Sequence, residues 1–506
     1  MKNNNYYESK KLKKGYKRAV TYLVLFGLVI SSAFICGCTN AQDFLDDGAR
    51  LTMPGIAEGV DNEIADTEGI LENPIIKTEE ENVSTFSIDV DTASYVNLRR
   101  YLKEISLEDF QKNNFTVRTE EAINYFDYDY KKPTGDLPIA ASTTVGACPW
   151  NDDAKLAVIS LAGKELESSE QAGSNIVFLI DISGSMMSDN KLPLLKKSLE
   201  MAVNNLNEKD TVSIVTYAGN VDCMLDGAKG NEKTKIINAI SRLESGGSTA
   251  GASGLNLAYS VAEDYFIKDG NNRILLATDG DFNVGPSSVE EMEELVTEKR
   301  ESGVFLTVLG FGVTYSGGDQ RLEVLADNGN GGYYVIDCIE EGEKVLCDQF
   351  EGCLYTVAKD VKVQVEFNKD NVESYRLIGY ENRVLNNEDF EDDTKDAGDM
   401  GAGQTVTAVY ELILKEDSDD LFTVNIRYKE PNSDESKLYE HTAGISGELS
   451  DDYYFISSVI EACLVINNSN YKGDASLENA HATAKEHNKN NDTYKKEFID
   501  LLNKIK

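Results

Sequence analysis

Residues 175–180, 212–217, 273–278 and 304–311 are apolar runs without alternation, the pattern of strands covered on both faces. Residues 191–206, 234–243, 254–265, 288–299 and 320–325 show the three-to-four-residue spacing of amphipathic helices. Leu195, Leu199, Ala202, Val203 and Leu206 line one side of the first. Strand and helix alternating over short connections predict an α/β domain over residues 174–340, with a doubly wound, mostly parallel sheet.

The flanks carry a different pattern. Residues 137–145 and 155–161 before this segment read as strands, and so do 361–367, 374–378, 405–414, 422–428 and 438–441 after it. Two strands alone cannot hide an apolar face. The two sets are therefore expected to combine into a β-sandwich-like region in which the α/β domain is inserted, or by which it is flanked. Residues 84–170 form an N-terminal flanking domain and residues 341–445 a C-terminal β-rich one. A short strand from Phe86 runs into a helix with Thr92 as its cap and Tyr95, Leu98 and Leu102 on one side, and residues 119–126 form a second helix. Residues 450–506 read as a helical region that packs on the flanking domain or forms a small helical cap. A chain of 506 residues accommodates about two to four such domains.

Composition adds compartment and partner class. With 41% hydrophobic residues, 25 Tyr and 18 Phe, the chain can build cores despite 27% charged residues. A formal charge of -39 disfavours nucleic acid and anionic membrane surfaces and welcomes cations. The N-terminus is the basic exception: Lys2, Lys10, Lys11, Lys13, Lys14, Lys17 and Arg18 precede the apolar stretch 19–35, the order of an export signal. It ends in Ile35-Cys36-Gly37-Cys38, which resembles a bacterial lipobox with Cys38 as the lipidated residue. Residues 1–38 are thus expected to be a lipoprotein signal peptide, leaving the protein lipid-anchored at the cell membrane on its extracytoplasmic face. The alternative is an uncleaved membrane helix over 19–37. Residues 39–83, acidic, glycine-containing and aperiodic, read as a flexible linker, with packing of 69–76 on a neighbouring domain left open.

Three strings carry the chemistry: Asp181-Ile182-Ser183-Gly184-Ser185, Thr249 and Asp279-Gly280. Asp181 and Asp279 each follow a predicted buried strand, and ligands of doubly wound sheets bind beyond the carboxyl ends of strands at the topological switch point. Two carboxylates and three hydroxyls offer only hard oxygen donors, which suits Mg²⁺ or Mn²⁺ rather than zinc or copper. Two anionic ligands barely neutralise a divalent ion. A protein partner's Asp or Glu carboxylate can complete the coordination.

These residues resemble the metal-ion-dependent adhesion site of von Willebrand factor type A (VWA) domains: Asp-x-Ser-x-Ser, a later Thr and a later Asp. The resemblance implies Ser183, Ser185 and Thr249 as direct or nearby ligands, with Asp181 and Asp279 holding the ion directly or through water; Ser248 is the one ambiguity. The segments SIDVDTASY, INYFDYDY, GGSTAGASGL, LGFGV and YRLIGYENR extend the similarity, from about residue 84 onward, to the bacterial YfbK-type family of VWA lipoproteins.

Other motifs are weaker. Asp89-x-Asp91 after a strand resembles the nucleophile motif of haloacid-dehalogenase-type phosphatases, but the Gly-Thr sequel is missing. Residues 398–405 mimic a P-loop with Gln404 in place of the required lysine, and Ser188-Asp-Asn-Lys191 lacks its companion motifs. His441, His481 and His487 have no metal-ligand spacing. Cys148, Cys223, Cys338, Cys347, Cys353 and Cys463 leave pairing open, with Cys463 reading as a buried thiol. The leading expectation is a non-enzymatic surface lipoprotein that binds a protein partner through Mg²⁺. A structural organiser of an envelope complex and an Asp89/Asp91 phosphatase are the alternatives.

Overall fold

The computed structural model describes residues 71–506 except 167–172, 248–250, 269, 281–288, 301, 314–317, 432 and 434. In chain order, β1 (Ile76–Lys77) and β2 (Val83–Ser87) precede helices Ala93–Glu104, Leu107–Lys112 and Thr119–Asn124, and β3 (Ile139–Ala147) and β4 (Ala154–Gly163) follow. The α/β segment runs β5 (Ser174–Asp181), helix Leu192–Ala202, β6 (Thr211–Tyr217), β7 (Val221–Lys229) and helices Lys233–Ser241 and Gly251–Asp264. It continues with β8 (Asn271–Thr278), helix Val289–Arg300, β9 (Phe305–Phe311), helix Gly318–Asn328 and β10 (Tyr333–Ile336). Then come β11 (Thr356–Phe367), β12 (Val372–Ile378), β13 (Val384–Leu385), β14 (Met400–Gly401), β15 (Thr405–Leu414), β16 (Phe422–Lys429) and β17 (Ser436–Ala443). Helices Asp451–Ile466, Leu477–His487 and Thr493–Ile505 close the chain.

The unbroken apolar run of β5 takes the centre of a six-stranded sheet of order β10-β9-β8-β5-β6-β7. Every pairing is parallel except β6 with β7. Ile176, Phe178 and Ile180 face one core with Leu195 and Leu199, while Val177 and Leu179 face the other with Leu255 and Tyr259. Each such fully buried side chain contributes about 1.5–3 kcal/mol. The chain leaves β5 toward β6 and returns on its other side as β8, so the switch point lies between β5 and β8.

Strands from both sides of the α/β segment build the sandwich. One sheet has the order β1-β12-β15-β4-β3; the other has β13-β2-β11-β16-β17, with β14 on β11. β15 pairs with β4 from Thr405↔Ala162 to Ile413↔Ala154, and β11 lies between β2 and β16. Phe86, Ile159, Leu161, Val363, Val365 and Tyr410 fill the space between the sheets, with Phe367 stacked on Tyr375 at 4.1 Å. Neither flank completes a sheet alone, so the α/β domain is an insertion.

The structure corrects several details. The linker expected to reach residue 83 stops short of it: Ile76 and Lys77 pair with Tyr375 and Ser374, and the buried Thr78 hydroxyl donates to the Val372 carbonyl at 2.6 Å. Two residues gaining a sheet edge are too few to show as a pattern. Thr92 stands at the helix N-cap but makes no side-chain cap bond; the Glu121 carboxylate accepts from the Ser94 N–H at 2.7 Å instead. The carboxyl-terminal helices pack on the N-terminal ones, Phe455 meeting Phe126 at 5.1 Å. The six cysteines among the described residues are free thiols, with Cys463 buried. No helix among the described residues is long and apolar enough to cross a membrane. The signal segment 1–38 with Cys38, and linker residues 39–70, lie outside the described residues.

Candidate metal centre

Asp181 ends β5 and is 0% exposed. Its Oδ1 accepts the Ser183 N–H at 2.7 Å, which curls the chain back over the strand end. The Ser183 and Ser185 hydroxyls consequently stand 2.9 Å apart, close enough to converge on one ion. Asp279 follows β8 directly, on the other side of the switch point. Thr278 Oγ1 donates to Asp181 Oδ2 at 3.5 Å and ties the two strand ends together.

A third loop closes on the first. The Ile182 carbonyl accepts the Gly246 N–H at 2.7 Å, and the Gly184 N–H donates to the Gly247 carbonyl at 3.1 Å. Gly247 adopts a φ of +88°, a conformation that glycine reaches without a Cβ penalty. Thr249 and Ser248 lie outside the described residues. Their neighbours Gly246 and Gly247 are nevertheless bonded to the Asp181 loop.

Burial pushes the Asp181 carboxyl above the usual carboxylate range, and the Ser183 N–H partly offsets this. A buried carboxylate is costly unless a positive charge or hydrogen bonds compensate it. The site supplies one positive charge itself: Lys191 Nζ lies 2.8 Å from Asp279 Oδ2. A cation is therefore already accommodated beside the oxygen donors, and the hard-oxygen set fits a small divalent ion. Among the described residues no group of three or more His, Cys, Asp or Glu side chains is placed to hold a metal.

Lys191, Tyr217 and Thr278 belong to the site and escape the sequence reading. Tyr217 is buried and opposite Asp181 in the parallel register of β5 and β6. Equal strand ends could have pointed to Tyr217. Lys191 carried only the misleading Ser-x-x-Lys spacing.

The remaining motifs have structural employment. Asp89 Oδ1 accepts the Asp91 N–H at 3.0 Å and Oδ2 lies 3.3 Å from Arg383 Nε; Asp91 Oδ1 accepts the Tyr333 N–H at 2.9 Å. Arg383 also holds Asp327 at 2.8 Å and Glu323 at 3.4 Å. The pair thus joins the sandwich to the edge of the α/β sheet. Gln404 Oε1 accepts the Gly401 N–H at 2.6 Å in the glycine turn before β15. His441 contacts Thr143, His487 contacts Asp451 and His481 contacts Lys506, three separate places.

Known proteins match successive segments of this chain. Residues 63–158 match the family model described as von Willebrand factor, and residues 175–341 match the von Willebrand factor type A domain. Residues 352–418 and 414–506 match the C-terminal region of the uncharacterized protein YfbK. YfbK of Escherichia coli strain K12 is 39% identical over 461 residues, 85% of this chain and 79% of that protein. The uncharacterized protein YwmD of Bacillus subtilis strain 168 is 27% identical over 207 residues, 37% of this chain and 90% of that protein. A solved von Willebrand factor type A structure from Catenulispora acidiphila is similar at 14% identity and a TM-score of 0.41, covering 72% of this chain and 88% of that one.

Proposed function

The chain belongs to the YfbK family of von Willebrand factor type A domain proteins, and from that premise we propose that it grips a protein partner through a divalent cation. Mg²⁺ or Mn²⁺ would be held by Asp181, Ser183, Ser185, Thr249 and Asp279. The observation that carries the reading is the convergence, at the switch point between β5 and β8, of a fully buried Asp181, Asp279 and two hydroxyls 2.9 Å apart. When bound, the cation supplies Lewis acidity toward one further oxygen. Asp181 and Asp279 supply the negative charge that retains it, and the serines fix the direction of the open position. A partner Asp or Glu would fill that position.

The rim supports a macromolecular partner. Ser185 is exposed, and Met187 on the same loop is 68% exposed, a large apolar side chain beside a polar site. Methionine is suited to such contacts because it adapts to the opposing surface. The basic leader, the apolar stretch after it and Cys38 support a lipid-anchored protein that presents this rim outside the cytoplasm. The protein is read as non-enzymatic.

Capture of membrane proteins by the full chain, in Mg²⁺ and in chelator, tests the proposal. A partner retained in Mg²⁺, released by chelator and lost with Asp181→Ala is expected. A partner retained in all three would indicate an envelope organiser whose binding surface lies elsewhere.

A further inference from the structure

We propose that Lys191 is a built-in competitor for the divalent cation: its ammonium occupies Asp279, and the site loads by exchanging this internal charge for the metal. The inference rests on the metal-site reading above and adds to it what sets the affinity. Lys191 Nζ is 2.8 Å from Asp279 Oδ2, and the side chains are 19% and 2% exposed. The carboxylate is out of solvent, while the lysine is near enough to water to leave.

The approach of the lysine is built into three segments. Lys191 is the residue before helix Leu192–Ala202; its N–H donates to the Ser188 carbonyl at 3.0 Å, and its carbonyl accepts from Leu195 N–H at 2.8 Å. With the backbone fixed at both ends of the residue, the aliphatic stem crosses Gly312 after β9. A Cβ at Gly312 would lie 2.8 Å from both Cγ and Cε of Lys191, and Gly312 has a φ of +63°. Any other side chain there would displace the stem from its path to Asp279.

Charge explains why this contact matters. Asp181 and Asp279 carry two negative charges, which Lys191 reduces to one. A divalent cation added with Lys191 in place would leave the buried cluster with one excess positive charge. The excess is removed when the lysine swings into solvent, which a compact ammonium on a flexible stem does readily. An anionic partner group removes it too, so Lys191 ties stable loading to arrival of a carboxylate.

The test is a calorimetric Mg²⁺ titration of the full chain, Lys191→Met and Asp181→Ala, with amine acetylation of the unsubstituted chain read by mass spectrometry. Methionine keeps the stem against Gly312 and deletes the charge. Mg²⁺ affinity is expected to rise about tenfold in Lys191→Met, in keeping with removal of one half-buried opposing charge. Asp181→Ala should abolish binding, and saturating Mg²⁺ should increase acetylation of Lys191 in the unsubstituted chain. Binding that needs Asp181 but is not tightened by Lys191→Met, or acetylation that Mg²⁺ leaves unchanged, overturns the competitor while the metal site stands. Absence of saturable binding in both the unsubstituted chain and Lys191→Met overturns the metal site and the competitor together. Should Lys191→Met not fold, the acetylation result decides.

Discussion

At the scale of single residues, the clearest consequence lies away from the candidate metal centre. Glu120 is fully buried, and burial followed by Glu381 and Asp89 pushes its pKa from 4.5 up to about 8. The folded chain therefore holds this proton to about pH 8, whereas the unfolded chain releases it near pH 4.5. The contribution to stability is fully present below pH 4.5 and is lost as pH rises toward 8, by a few kcal/mol at about 1.4 kcal/mol per pKa unit. Glu120→Gln cannot ionise, so urea unfolding from pH 5 to 8 should show a shallower loss of stability. An unchanged slope would assign the window to Asp327 and Asp399, raised to about 6 and about 7. Residues differ in how legible they are. Asp181, Ser183, Ser185 and Asp279 are readable because spacing and strand ends place them. Lys191 is not, because its partner depends on a glycine more than a hundred residues away.

At the scale of elements, helix Ala93–Glu104 is anchored by one guanidinium. Arg99 is buried and pairs with Asp337, with Glu341 at 3.0 Å and with Glu497 at 2.9 Å, while the Tyr125 hydroxyl accepts from it at 2.8 Å. It thereby joins the first flanking helix to the end of the α/β domain and to the last helix. Arg99→Met strands these carboxylates and should lower unfolding stability by about 3–5 kcal/mol in urea titrations. A loss under 1 kcal/mol would show that the helices are held by apolar packing alone. Legibility here follows burial. The central strands announce themselves as apolar runs, but β7 alternates between exposed and half-buried positions at the sheet edge and escapes notice. β10 has four residues, too few for a period. The Ser94 N–H is capped across space by Glu121, a contact that no local motif encodes.

At the scale of the whole molecule, the insertion is what the pattern of strands before and after the α/β segment leads one to expect. Register was beyond reach, since β15 on β4 joins residues some 250 positions apart and depends on the complementary faces of two sheets. The consequence is that both ends of the α/β domain are tied into the sandwich. An acidic chain with a net charge of -39 gathers cations generally, so specific loading must be separated from this background. Counting Mn²⁺ bound per full chain by electron paramagnetic resonance, in excess monovalent salt, makes that separation most directly. One Mn²⁺ per chain, lost in Asp181→Ala and displaced by Mg²⁺, is the predicted result; equal Mn²⁺ binding by the unsubstituted chain and Asp181→Ala would contradict the account.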